Sequence, residues 1–105
     1  MEITKLTDAE RFDPAKMTKN LLVASDHMFC DLYCLEPGQA QKVHAHDGSD
    51  KVYVVLDGTA TLTVGEEVQA VGPGHAVVAR AGVAHGIRND SAGRVTALVV
   101  MAPKP

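Results

Sequence analysis

From Met17 onward, apolar positions fall in short runs separated by turn-forming residues, the pattern of strands rather than helices. Leu21–Ala24 is one such run. Met28–Leu35 alternates, with Cys30, Leu32 and Cys34 on one face and Phe29, Asp31, Tyr33 and Leu35 on the other. Glu36-Pro37-Gly38 ends it. Lys42–His46 follows, then Val52–Leu56, which closes on the tight-turn pair Asp57-Gly58. Thr59–Val64, Val68–Val71, His75–Ala79, His85–Asn89 and Val95–Met101 complete a predicted set of nine strands. Turn signals at roughly 8–12-residue intervals predict an all-β sandwich or barrel. Residues 1–16 are polar and mixed. Thr7-Asp8-Ala9-Glu10 predicts one helical turn capped by Thr7, and Pro14 limits any helix there.

Two strands are apolar on both faces. Val52, Val54 and Leu56 back Tyr53 and Val55, and the run Ala97–Ala102 has no polar position. A sheet with one wet face would alternate more cleanly. Either the N-terminal segment or a second copy of the chain must cover the outer face, and a homodimer is the expectation. No repeat or linker divides the 105 residues, so one domain spanning 1–105 is expected.

Composition narrows the function classes. With 46% hydrophobic and 22% charged residues the chain has the make-up of a folded globule. A net charge of -3, without a Lys/Arg cluster or an aromatic ladder, argues against nucleic-acid binding. No apolar run approaches a membrane span. Met1–Lys5 has no signal-like apolar stretch, so a cytoplasmic location is expected. On one strand Cys30 and Cys34 would lie roughly 13 Å apart, beyond the ~7 Å reach of a disulfide, which predicts two reduced thiols.

Of five histidines, His44 and His46 are separated by one residue. On a strand they share a face, about 6–7 Å apart at Cα, so both imidazoles can reach one ion at about 2.1 Å. Burying two imidazoles without a ligand or hydrogen bonds is costly. His75, after Pro73-Gly74, reads as a strand-start residue, and His27, after Ser25-Asp26, as a solvated turn residue.

The surrounding spacing carries a family resemblance. Gly38, five residues, His44-Ala45-His46, four residues, Lys51, six residues and Gly58 resemble the first cupin motif, over 38–58. Gly74, five residues, Arg80, one residue, Gly82, two residues, His85, three residues and Asn89 resemble the second, over 74–89. The resemblance implies a single-domain cupin jelly-roll β-barrel with a short N-terminal segment. It also implies that His85 joins His44 and His46 around one divalent metal ion. Imidazole donors do not distinguish Fe, Mn, Ni, Cu and Zn. Asn89 is expected to bond turn backbone rather than the metal.

Two positions depart from the family pattern. Arg80 stands where Pro is usual, which changes a turn. Lys51 stands where the motif usually has Glu, so a carboxylate ligand has become a cation on an inward strand phase. Three arrangements follow. In one, a neutral three-histidine site forms and Lys51 swings outward or pairs with an anion. In another, Asp50 becomes a further ligand through a shifted strand or bulge, with Asp47 or Gln39 as weaker candidates. In the third, the ammonium repels the metal and the site stays empty. Lys51, Tyr53 and Gln39 are expected in the pocket, and Gln41, Arg80 and Arg88 are candidates to orient a small-molecule ligand or substrate. A dioxygenase or isomerase is one reading. A non-enzymatic binding or sensor module is the other, because one fold hosts many functions.

Overall fold

The computed structural model describes residues 1–105. All nine predicted strands form: β1 (Thr18–Ala24), β2 (Phe29–Leu35), β3 (Ala40–His44), β4 (Asp50–Asp57), β5 (Ala60–Val64), β6 (Glu67–Val71), β7 (Ala76–Ala79), β8 (His85–Arg88) and β9 (Val95–Ala102). They make two sheets, ordered β1-β2-β9-β4-β7 and β3-β8-β5-β6, with every pairing antiparallel. This is a jelly roll whose inward faces meet in one core. Tyr33, Leu35, Tyr53, Val55, Leu62, Ile87, Val95 and Val99 are buried there, with Met17, Val71 and Val77 packed against them. No helix is long and apolar enough to cross a membrane.

The alternation of β2 and β4 sets the site. Register across the larger sheet aligns Phe29, Met101, Lys51 and Ala79 in one row, and Leu21, Asp31, Val99, Tyr53 and Val77 in the next. Lys51 and Tyr53 are almost fully enclosed on the inner face, while Asp50, one residue away, is exposed. The register of β4 against β9 is regular from Asp50 to Val55, so no bulge turns Asp50 inward.

Several boundaries differ from expectation by one to three residues. β1 begins at Thr18 rather than Leu21, because polar Thr18, Lys19 and Asn20 are tolerated on an edge strand. β3 ends at His44, so His46 lies in the following loop, and the register shifts between Gln41 and His44. The helical turn spans Leu6–Ala9 with Lys5 at its N-cap and no side-chain cap, so Thr7 lies inside the turn.

Turn glycines fix the ends of the barrel. Gly58 adopts φ +74, and a Cβ there would lie 2.2 Å from the Arg94 carbonyl oxygen. Gly82 adopts φ +82 and its N–H donates to the His46 carbonyl at 2.8 Å, joining the turn before His85 to the loop that holds His46. Asn89 is wholly buried; its amide donates to Leu35 and Gly93 carbonyls and its oxygen accepts from Ser91 N and Oγ.

The outer face of the larger sheet is covered unevenly. At one end the Asn20 amide meets the Cys34 thiol, and the Thr18 hydroxyl donates to the Arg11 carbonyl, so the N-terminal segment closes over Cys34. Both cysteines are free thiols. Elsewhere the face stays open: Leu56 is 37% and Val78 44% exposed, and Val52, Val54, Leu98 and Val100 are only half-buried.

Candidate metal centre

His44 ends β3, His46 follows in the loop, and His85 begins the neighbouring strand β8, directly opposite His44. Their ring centroids lie 4.9 Å (His44–His46), 4.6 Å (His44–His85) and 5.7 Å (His46–His85) apart. One nitrogen from each lies within 4.8 Å of those of the other two. The three histidines expected from the sequence are therefore brought together, from two strands and a loop.

Hydrogen bonding fixes which nitrogens are free. His44 Nδ1 lies 2.7 Å from the Lys42 carbonyl and His85 Nδ1 lies 2.9 Å from the Val83 carbonyl. A carbonyl only accepts, so in both rings Nδ1 carries the proton and Nε2 keeps its lone pair. His85 Nε2 is buried and has no hydrogen-bond partner. A buried nitrogen of this kind is costly unless something else engages it. Burial holds the His85 and His46 imidazoles below the ordinary value of 6.5; the neighbouring His44 and Lys51 push both further down, and the bond that His85 donates to the Val83 carbonyl partly opposes this. Both favour the neutral form that ligates metal. The donor set thus fits a divalent ion held by His44, His46 and His85, with Nδ1 contacts orienting two of the three rings.

Lys51 does not swing outward. It is 1% exposed, and its ammonium donates to Gln41 Oε1 at 3.1 Å. Nζ sits 5.3 Å from the Tyr33 ring centroid and 5.0 Å from that of Tyr53. Burial pulls its pKa from 10.5 to about 8, with Lys19 pushing the same way and Asp31 opposing. Burial also raises the phenols: Tyr33 to about 12, and Tyr53, aided by Tyr33, further still.

The remaining expected residues separate. Asp50 is not brought to the histidines; its Oδ1 accepts from Ala81 N at 2.8 Å, and it tethers the Arg80 turn. Asp47 is exposed in the loop. Gln39 is not in the pocket either: its oxygen accepts from Glu36 N and its amide donates to the Asp13 carbonyl, anchoring the N-terminal segment. Two residues further along, Gln41 takes the pocket position. Tyr53 shares the inward face with Lys51 as expected but is sealed in the core, its hydroxyl without a partner. Arg88 pairs with Asp90 at the surface, Arg80 is exposed, and the His75 and His27 side chains are exposed in turns.

A cavity of about 510 Å³ opens beside the histidines. Besides His44, His46, Lys51 and Gln41, it is lined by Lys19, Lys42, Asp31, Leu21, Phe29 and Met101. None of these last six was singled out for the pocket from sequence. A charged residue, Asp31, on the strand face that also carries Tyr33 was the one available signal; the others come from register across separate strands.

Fold and site together define a small jelly-roll protein with a three-histidine cluster. A cupin domain model matches residues 31–101, and the chain belongs to the cupin family. It is similar to TT1209 from Thermus thermophilus, at 51% identity over the whole of both chains with a TM-score of 0.97. An uncharacterized protein of Streptomyces coelicolor is 40% identical over 79 residues, covering 73% of this chain and 71% of the relative. A double-stranded β-helix protein of Klebsiella pneumoniae shares the fold, with a TM-score of 0.91 at 20% identity over 98% of this chain and 90% of its own.

Proposed function

We propose that this chain is a metal-dependent cupin enzyme of the dioxygenase or isomerase class, acting on a small molecule at the His44, His46 and His85 cluster. The observation that carries the reading is the buried, unpartnered Nε2 of His85 beside two further imidazoles and a cavity. A bound divalent metal would supply a Lewis-acid centre with open positions for a substrate donor atom. The chain supplies the rest. Lys42 and Val83 carbonyls hold two imidazoles in the ligating tautomer. Leu21, Phe29 and Met101 offer apolar contact to a substrate. Turnover is tested by supplying metal-loaded protein with small enolisable carbonyl compounds and following oxygen consumption and substrate isomerisation. Activity lost in His85→Ala supports the reading; metal-bound protein that only binds such compounds favours the alternative.

That alternative, a non-enzymatic binding or sensor module, is favoured by Lys51, because a buried ammonium near the cluster opposes divalent cations. Under either reading we take the setting to be cytoplasmic, which suits the free thiols of Cys30 and Cys34. We also take the working state to be a homodimer, in which a second copy covers the open apolar face around Val52, Val54, Leu56 and Val78. A monomer mass in solution at micromolar concentration removes the dimer.

A further inference from the structure

Burying an ammonium without a counter-charge is costly, and a chain that keeps one inside a cavity leaves bonding capacity for something else. Lys51 is in that position. Neither of the two ion pairs in the protein involves it. Of its three N–H donors, one goes to Gln41. The faces of Tyr33 and Tyr53 hold the ammonium in place without neutralising it. Asp31, the one carboxylate side chain on the cavity wall, makes no ion pair with it. Lys19 and Lys42 add two further positive charges at the exposed rim, on a protein whose net charge is -3. Leu21, Phe29, Val99, Met101 and Pro105 give the wall its apolar part, and the imidazoles of His44 and His46 complete it.

We propose that the cavity contains an anion subsite centred on Lys51, with Lys19 and Lys42 at its rim, that takes the carboxylate of a small organic acid whose apolar body lies against Leu21, Phe29 and Met101. This names the substrate class of the site and rests on the reading of that cavity as the ligand pocket, though it does not require a bound metal. Two free N–H donors of Lys51 match the two oxygens of a carboxylate, and charge-assisted bonds in a partly enclosed cavity are stronger than at the surface. The mixed wall selects an acid with a hydrocarbon portion over a compact, wholly hydrophilic anion.

The test uses full-length protein treated with chelator, titrated calorimetrically with hexanoate, hexanamide and inorganic phosphate. Wild-type protein is expected to bind hexanoate at least about tenfold more tightly than hexanamide. Lys51→Met is expected to bring the two within about twofold. Asp31→Asn, which removes a competing carboxylate and leaves Lys51 in place, is expected to tighten hexanoate binding, so the proposal stays testable if Lys51→Met does not fold. Equal binding of hexanoate and hexanamide by wild type, or phosphate binding as tight as hexanoate, overturns it. Metal content measured on untreated protein from the same preparation separates the two readings. Protein that takes up no metal yet prefers hexanoate keeps the subsite and loses the metal centre; protein that holds metal without the preference does the reverse.

Discussion

The Lys51 ammonium and Gln41 Oε1 lie 3.1 Å apart, a bond that spans the barrel from β4 in one sheet to β3 in the other. It places a cation against the same strand that ends in His44. The position that usually supplies a carboxylate ligand in the family motif therefore supplies an inward charge of opposite sign.

Replacing that charge changes metal binding in a stated direction. Lys51→Glu is expected to raise divalent-metal affinity, because attraction replaces repulsion beside the imidazoles. Competition against a chromogenic chelator measures it. Lower affinity in Lys51→Glu would mean that Lys51 supports the site rather than opposing it.

The same residue makes stability depend on alkaline pH. The folded chain holds Lys51 near 8, against an ordinary 10.5. Between these values the unfolded state binds more protons, so stability rises with pH across that window; below about 8 the full cost of the buried charge is present. Lys51→Met is expected to be more stable at pH 7 by on the order of 2 kcal/mol and to lack the rise. Urea titrations at pH 7, 9 and 10.5 check this, and parallel pH profiles for the two proteins would contradict it.

Backbone constraint at the β4–β5 turn predicts a sharp effect from one methyl group. Gly58→Ala places Cβ against the Arg94 carbonyl at a φ that disfavours side chains. A loss of roughly 2–4 kcal/mol is expected. A change below about 0.5 kcal/mol in denaturant unfolding would show that the turn relaxes freely.

Asn89 closes the β8–β9 connection from inside. Its amide and oxygen meet Leu35, Gly93 and Ser91, and truncation would leave buried backbone groups without partners. Asn89→Ala is expected to cost roughly 2–4 kcal/mol with metal content per folded chain unchanged. Loss of metal from folded Asn89→Ala would assign the residue to the site.

Much of this was legible from local pattern. Period-two alternation placed Lys51 and Tyr53 on one inward face, and the resemblance to the second cupin motif implied that His85, which the structure sets opposite His44, joins the histidine cluster. Local pattern failed where geometry departs from an ideal strand. The irregular register between Gln41 and His44 puts His46 in a loop, so its ring meets the others through the turn that Gly82 ties down rather than through strand phase. Gln39 was expected in the pocket, but it falls in the turn before β3, where it serves the N-terminal segment. Asp50 needed a bulge that β4 does not have. Lys19, Lys42 and Asp31 sit on three different strands, and no single stretch of sequence shows that they share a cavity.

The most direct test of the central claim is elemental analysis of untagged protein purified without chelator, beside His44→Ala and His85→Ala. About one divalent metal per wild-type chain is expected, falling below about 0.1 in both variants while their circular dichroism stays that of a folded barrel. A wild-type protein that holds no metal after reconstitution with Fe, Mn, Ni, Cu and Zn salts, or variants that hold as much as wild type, would contradict it.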